Sequence, residues 1–219
     1  MTKKILITGA NGQLGHEMRN ALKGNNRFEC IFTDVAELDI CNAEAVKQII
    51  ADNHIDYIVN CAAYTQVDKA EDNAELCKKI NTDAVENLAR AAADYGARMI
   101  HISTDYVFNG RGYRPYTEDM VPDPQSVYGS TKLEGEKILT DICPESIIIR
   151  TAWLYSPYGN NFVKTMLHLG EEREELSVVA DQIGTPTCAA DLAQAILVIL
   201  QADTFVPGTY HFSDEGVCS

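Results

Sequence analysis

The stretch Ile5-Leu6-Ile7-Thr8-Gly9-Ala10-Asn11-Gly12-Gln13-Leu14-Gly15 is a short apolar run that breaks into three glycines spaced G-x-x-G-x-x-G. Glycine belongs where a chain turns sharply, or where a backbone must touch another group without a Cβ in between. A helical period follows, from Glu17 to Lys23, so Gly9, Gly12 and Gly15 lie between a strand and a helix. A helix N-terminus offers unpaired N–H groups and a partial positive charge, which suit a phosphate. Asp34 closes the second strand candidate, Phe28 to Phe32, about 20 residues beyond the glycines, where a carboxylate reaches the ribose hydroxyls of a dinucleotide. An acid there repels a 2′-phosphate, and no arginine follows it, so the residues favour NADH over NADPH.

Working outward, strand-length runs alternate with helical ones. Ala43 to Ala51 reads as a helix capped by Asn42, Asp56 to Ala62 as a strand, and Asn73 to Tyr95 as one long helix stopped by Gly96. Arg98 to Ser103 is a strand, Val127 to Ile142 a helix, and Ile147-Ile148-Ile149 a strand. Near-continuous apolar strands belong to parallel sheets covered on both faces, so the pattern predicts a doubly wound, Rossmann-type α/β fold. Residues 109–126, rich in glycine and proline, read as a long loop. Beyond Arg150 the rhythm loosens: Asn161 to Glu172 and Ala189 to Ala202 read as helices, Leu176 to Val179 as extended, and Gly208 to Phe212 as a last strand. The division expected is a dinucleotide-binding domain over 1–150 and a smaller, incomplete substrate-binding part over 151–219.

Composition narrows the partners. Of 219 residues, 18 are Lys or Arg and 32 are Asp or Glu, and the net charge of -14 opposes binding to nucleic acid or anionic membranes. No apolar run is long enough to cross a bilayer, and the seven cysteines show no C-x-x-C spacing. These features predict free thiols and a cytoplasmic protein. The five histidines lack ligand spacing and read as structural, so no metal is predicted.

Tyr128-Gly129-Ser130-Thr131-Lys132 puts a phenol and an ammonium at i and i+4, on one helix face. A nearby ammonium stabilises phenolate, so the pair can pass a proton to or from a carbonyl oxygen. Upstream, Ser103-Thr104-Asp105-Tyr106 ends a strand at the carboxyl edge of the sheet, where such folds bind ligands. Trp153 follows the Ile147 to Ile149 strand at the same edge and is a candidate for stacking on substrate.

Together, the glycine triplet, Asn60-Cys61-Ala62-Ala63, Ser103-Thr104 and Tyr128-x-x-x-Lys132 resemble the extended short-chain dehydrogenase/reductases. Residues 63–71, 103–108, 128–136, 150–155 and 181–187 narrow the resemblance to the dTDP-4-dehydrorhamnose reductases. The resemblance implies reduction of the C4 ketone of dTDP-4-dehydro-L-rhamnose, a small sugar nucleotide, by NADH or NADPH for surface polysaccharide synthesis. It casts Tyr128 as proton donor, Lys132 as the residue holding the nicotinamide ribose, and Thr104 as a hydrogen-bond donor to the reacting oxygen. Ala10, Asn11, Gly12, Gln13 and Leu14 would cradle the pyrophosphate, Asp39 and Ile40 contact adenine, and Ala62, Ala63, Tyr64 and Thr65 line the nicotinamide side. Asp105, Tyr106 and Trp153 would contact the sugar nucleotide. Some members bind magnesium near the position of Ala190, which supplies no ligand here, and a homodimer is compatible with the family. Family chains run to roughly 280 to 300 residues, so the substrate part would be short of its tail. The competing readings are a non-catalytic dinucleotide-binding regulatory subunit and a sister epimerase or dehydratase. Intact Thr104, Tyr128 and Lys132 argue against the first, and Asp105-Tyr106 in place of an acid pair argues against a dehydratase.

Overall fold

The computed structural model describes residues 2–219. Six strands, β1 (Lys3–Thr8), β2 (Phe28–Phe32), β3 (Tyr57–Asn60), β4 (Arg98–Thr104), β5 (Ile147–Thr151) and β8 (Gly208–His211), form one sheet in the order β2-β1-β3-β4-β5-β8. Every pairing is parallel. From β1 the chain moves first to β2 on one side and then to β3 on the other, so the strand order reverses between β1 and β3. In open α/β sheets that reversal opens a crevice beyond the strand ends.

Helices cover both faces. On one side α2 (Ala43–Asn53), α5 (Ala84–Tyr95) and α6 (Val127–Ile142) bury Ile50, Leu88 and Leu139 against Leu6, Ile58, Met99 and Ile148. On the other, α1 (Gln13–Ala21) and α8 (Ala189–Gln201) bury Met18, Leu192 and Ile196 against Ile5, Ile7, Val59, Ile100 and Ile149. Two-sided cover is why these strands carry apolar residues at consecutive positions. Local chemistry sets the helix ends. Asn42 accepts from the Ala45 amide to start α2, Ser126 accepts from Gly129 to start α6, and Gly96 closes α5 at φ 72°.

The expected long helix over 73–95 is instead broken. A short helix α3 (Val67–Asp72) and α4 (Ala74–Lys78) lead into a π turn, Lys79–Asp83, before α5 resumes. The extra residue of a π turn rotates Asn81 and Thr82 inward, where both are buried and hydrogen bonded. Leu176 to Val179, expected to be extended, pairs with no strand, and its apolar side chains are solvent-exposed. A second, two-stranded parallel sheet of β6 (Leu154–Tyr155) and β7 (Thr187–Cys188) is too short to announce itself as a periodic pattern. Within residues 151–219, α8 and β8 return to the main layers. Residues 152–186 stand outside them and carry α7 (Phe162–Glu172), which buries no residue. All seven cysteines are unpaired, and among the described residues no helix is long and apolar enough to cross a membrane.

Candidate active site

The carboxyl ends of β1 and β3 frame a cavity of about 550 Å³. Gly9, Asn11, Gly12, Asp34, Asp39, Ile40, Ala62 and Ala63 line it, with Val35, Leu38, Cys41, Leu76 and Lys79. Gly9 has φ +63°, and a Cβ there would sit 2.6 Å from the Ala62 nitrogen. Both facts require glycine. Asp34 is fixed by two backbone amides: Asn11 donates to Oδ2 at 2.9 Å and Val35 to Oδ1 at 2.8 Å. Glu37 in turn accepts from the Asp34 amide, so the acid is held at the mouth of the cavity.

Other residues assigned to the cradle serve as its support. Ala10 and Leu14 are buried, and a side chain on Gly15 would overlap Gly9 and Ala10 backbone. The Gln13 amide reaches outward, donating to the Leu154 carbonyl and accepting from Asn161. Tyr64 and Thr65 do not line the cavity. Tyr64 is clamped at both backbone groups by Asn81 of the π turn, which accepts from its amide and donates to its carbonyl. Sequence reasoning missed Asn81, because a π turn leaves no periodic signature.

Tyr128 stands in the first turn of α6, buried against Ala70 and Cys77, with Tyr106 edge-on at 5.5 Å between ring centroids. Burial pushes its phenol above the ordinary tyrosine range, and the nearby Thr104 hydroxyl pulls the other way. Thr104 donates to Asp105 and accepts from the Tyr106 amide. Burial, and not the Lys132 ammonium that the sequence pairs with it, sets the direction of the Tyr128 shift. Lys132 is itself 1% exposed and donates to the Ile102 carbonyl at 2.6 Å, with His101 Nε2 at 3.3 Å. Desolvation lowers its pKa to about 8, against a smaller opposing pull from Glu136. Neither neighbour of the ammonium is visible from the Y-x-x-x-K spacing.

A second cavity, about 430 Å³, opens beyond β5. Asp105, Arg150, Thr151, Tyr113, Tyr116 and His211 are among its lining residues. Desolvation pushes the Asp105 carboxyl above the ordinary aspartate range, and its hydrogen bonds oppose that rise. Beneath the cavity, Arg150 grips Glu136 through Nε and Nη2, and Ser103 donates to the same carboxylate. Ser103 is thus turned away from the edge where its hydroxyl was expected. Two substrate candidates lie elsewhere. Tyr106 packs on Tyr128, and Trp153, at φ 47°, packs its indole where a Gly184 side chain would be. The sequence signal for Arg150 was a cation ending an otherwise apolar strand. Cys61 also lines the first cavity, and burial raises its thiol to about 12, away from the thiolate form a nucleophile needs.

Comparison with known proteins agrees with this geometry. Residues 3–219 match the protein family described as RmlD substrate binding domain. The dTDP-4-dehydrorhamnose reductase of Escherichia coli is 46% identical over 220 residues, covering 97% of this chain and 73% of its own length. Among solved structures, the dTDP-4-dehydrorhamnose reductase of Clostridium acetobutylicum superposes with a TM-score of 0.94 at 50% identity, covering 99% of this chain and 76% of that one. That of Bacillus anthracis, in complex with NADP, gives 0.96 at 44% identity, covering 100% and 77%. The chain therefore spans about three quarters of the length of these relatives.

Proposed function

Because the chain belongs to the dTDP-4-dehydrorhamnose reductase family, we propose that it reduces the C4 ketone of dTDP-4-dehydro-L-rhamnose to dTDP-L-rhamnose with NADH or NADPH. The observation that carries the reading is one carboxyl edge bearing both a glycine-floored cavity at the strand-order reversal and, beyond the Thr104 strand end, a buried Tyr128 with Lys132 one helical turn on. The residues fit a dinucleotide: a Cβ-free turn beside a helix N-terminus, and an acid fixed at the cavity mouth. When bound, the nicotinamide supplies the hydride.

Tyr128 gives its proton to the C4 oxygen as negative charge grows there, and Thr104 hydrogen-bonds the same atom. The high phenol pKa keeps that proton on Tyr128 until it is needed. Lys132 as ammonium then stabilises the phenolate left behind. Asp34, held by two amides, meets the adenosine ribose and favours NADH, although the Bacillus anthracis relative holds NADP. The second cavity, with Asp105 and Arg150, takes the sugar nucleotide, and residues 152–186 form its outer side. Mixing the protein with dTDP-4-dehydro-L-rhamnose and either reduced cofactor tests the proposal. Ketone-dependent oxidation is expected with both, faster at limiting NADH; oxidation of neither would overturn it.

A further inference from the structure

His101 has no role in the mechanism above, and its spacing in the sequence marks it as structural. The structure puts it, fully buried, between Asn60 and Lys132. Its hydrogens can be assigned from the heavy atoms alone. Asn60 accepts at one side-chain atom from the Thr8 hydroxyl, at 2.7 Å, and from the Ala62 amide, at 3.1 Å. A backbone N–H only donates, so that atom is the Asn60 oxygen. The Asn60 NH₂ therefore faces His101 Nδ1, at 3.0 Å. An amide NH₂ only donates too, so Nδ1 carries no hydrogen. A neutral imidazole then carries its single proton on Nε2, the nitrogen 3.3 Å from Lys132 Nζ. An ammonium has donors and no acceptor, so it opposes that N–H; a free amine has a lone pair to receive it.

We propose that His101 is a positioning residue for Lys132, whose Nε2–H, locked by Thr8 and Asn60, favours the free amine and so sets the pH at which Lys132 loses its proton. The remaining groups around the pair leave this bias in place. Glu136, on the same helix, favours the ammonium but is already held by Arg150 of β5 and by Ser103 of β4. Cys77 from α4 acts in the same direction as Glu136, while Tyr128, also on α6, is protonated. The sheet side contributes only the uncharged Asn60 and Thr8 and the Ile102 carbonyl. Desolvation already lowers the Lys132 pKa to about 8, and the His101 N–H adds to that direction. In the reduction, which this inference takes from the proposed function, Lys132 must be an ammonium to stabilise the Tyr128 phenolate. The alkaline limb of kcat/KM then reports Lys132.

Two measurements test it. The first needs neither cofactor nor activity: long-range ¹H–¹⁵N spectra of ¹⁵N-histidine-labelled protein, with His101 assigned by its loss in His101→Gln. The expected signals are a neutral ring protonated at Nε2, with an inflection near pH 8 that vanishes in Lys132→Met. A ring protonated at Nδ1, or no inflection in the unmodified protein, would overturn the proposal. This arm is readable even if the protein proves not to be a reductase, so the two failures are distinct. The second is the pH profile of His101→Gln, whose side-chain oxygen can turn towards Nζ and accept from an ammonium. Its alkaline limb should move up by roughly one unit. A folded His101→Gln enzyme whose activity drops at every pH with an unmoved limb would show a merely structural histidine and sink the assignment.

Discussion

Helices α5 and α7 read alike as sequence, yet one is sunk in the protein and the other lies on it. Both carry apolar residues at helical spacing. In α5 these are Ala84, Val85, Leu88, Ala89, Ala91 and Ala92, all buried between the sheet and its neighbouring helices. In α7 they are Phe162, Val163, Met166, Leu167 and Leu169, of which none is buried; Leu167 is 66% exposed. The periodicity of a helix states which face would be covered. It does not state whether a covering element exists. The same contrast separates residues 3–151, where the site residues rest on packed strand ends, the turns after them and α6, from residues 152–186, where the chain is tied to α1 through Gln13, Asn20 and His16 and otherwise by short bridges. The candidate chemistry is placed on the rigid side, as precise positioning requires.

The largest effect should therefore come from deleting chemistry on the packed side. Tyr128→Phe keeps the ring, its edge contact with Tyr106 and its burial, but removes the proton. We expect kcat to fall by roughly 10² to 10⁴, with NADH affinity little changed. A variant retaining full kcat would mean that the packed edge is not where the proton comes from.

Stability should divide along the same line. Ile58 in β3 is 0% exposed, and Ile58→Ala opens a cavity that its fully packed neighbours cannot fill. The cost should be about 2–5 kcal/mol in chemical denaturation. Leu167→Ala in α7 should cost no more than about 0.5 kcal/mol. Equal losses at the two positions would break the comparison. A smaller effect is expected at the edge of the packed half. Asp34→Ser removes the acid facing the adenosine ribose, and the NADPH-to-NADH ratio of kcat/KM should rise by about tenfold, the scale of one lost charge contact. An unmoved ratio would place the ribose elsewhere.

These contrasts also explain what could be read before the structure. The glycine turn, Asp34 and the α6 pair were legible because each depends on a few neighbouring residues: a sharp turn, a strand end, one helical turn. The Thr8–Asn60–His101 chain was not, because its members sit side by side on β1, β3 and β4 only once the register is fixed, Thr8 opposite Asn60 and Asn60 opposite His101. Asn81 was hidden for a different reason: the π turn shifts the helical phase by one residue, so its inward direction contradicts the period of the helix around it. Arg150 and Glu136 fall on successive elements, but their contact follows from how α6 packs across β4 and β5. Trp153 was given a substrate role from its position at the strand edge; the sequence does not show that its backbone is left-handed and its indole packs on Gly184, which lines the second cavity.

The smallest prediction compares two glycines within helices. Gly135 in α6 faces the Asn81 carbonyl, and a methyl group there would overlap it; Gly170 in α7 has nothing within 4 Å of where its Cβ would be. Glycine inside a helix costs roughly 0.5–1 kcal/mol relative to alanine, through the freedom its unfolded backbone loses. At Gly170 that gain comes without a clash, so Gly170→Ala should slow hydrogen exchange of the α7 amides about two- to fivefold, the factor corresponding to that energy. Because α7 buries nothing, the gain should stay local, and the midpoint of global unfolding should barely move. Gly135→Ala should do the reverse, lowering the global midpoint as α6 and the π turn are forced apart. If Gly170→Ala instead raises the global midpoint by the full amount, α7 unfolds together with the sheet. The division between a packed half and an uncovered one would then be a difference in surface and not in cooperativity.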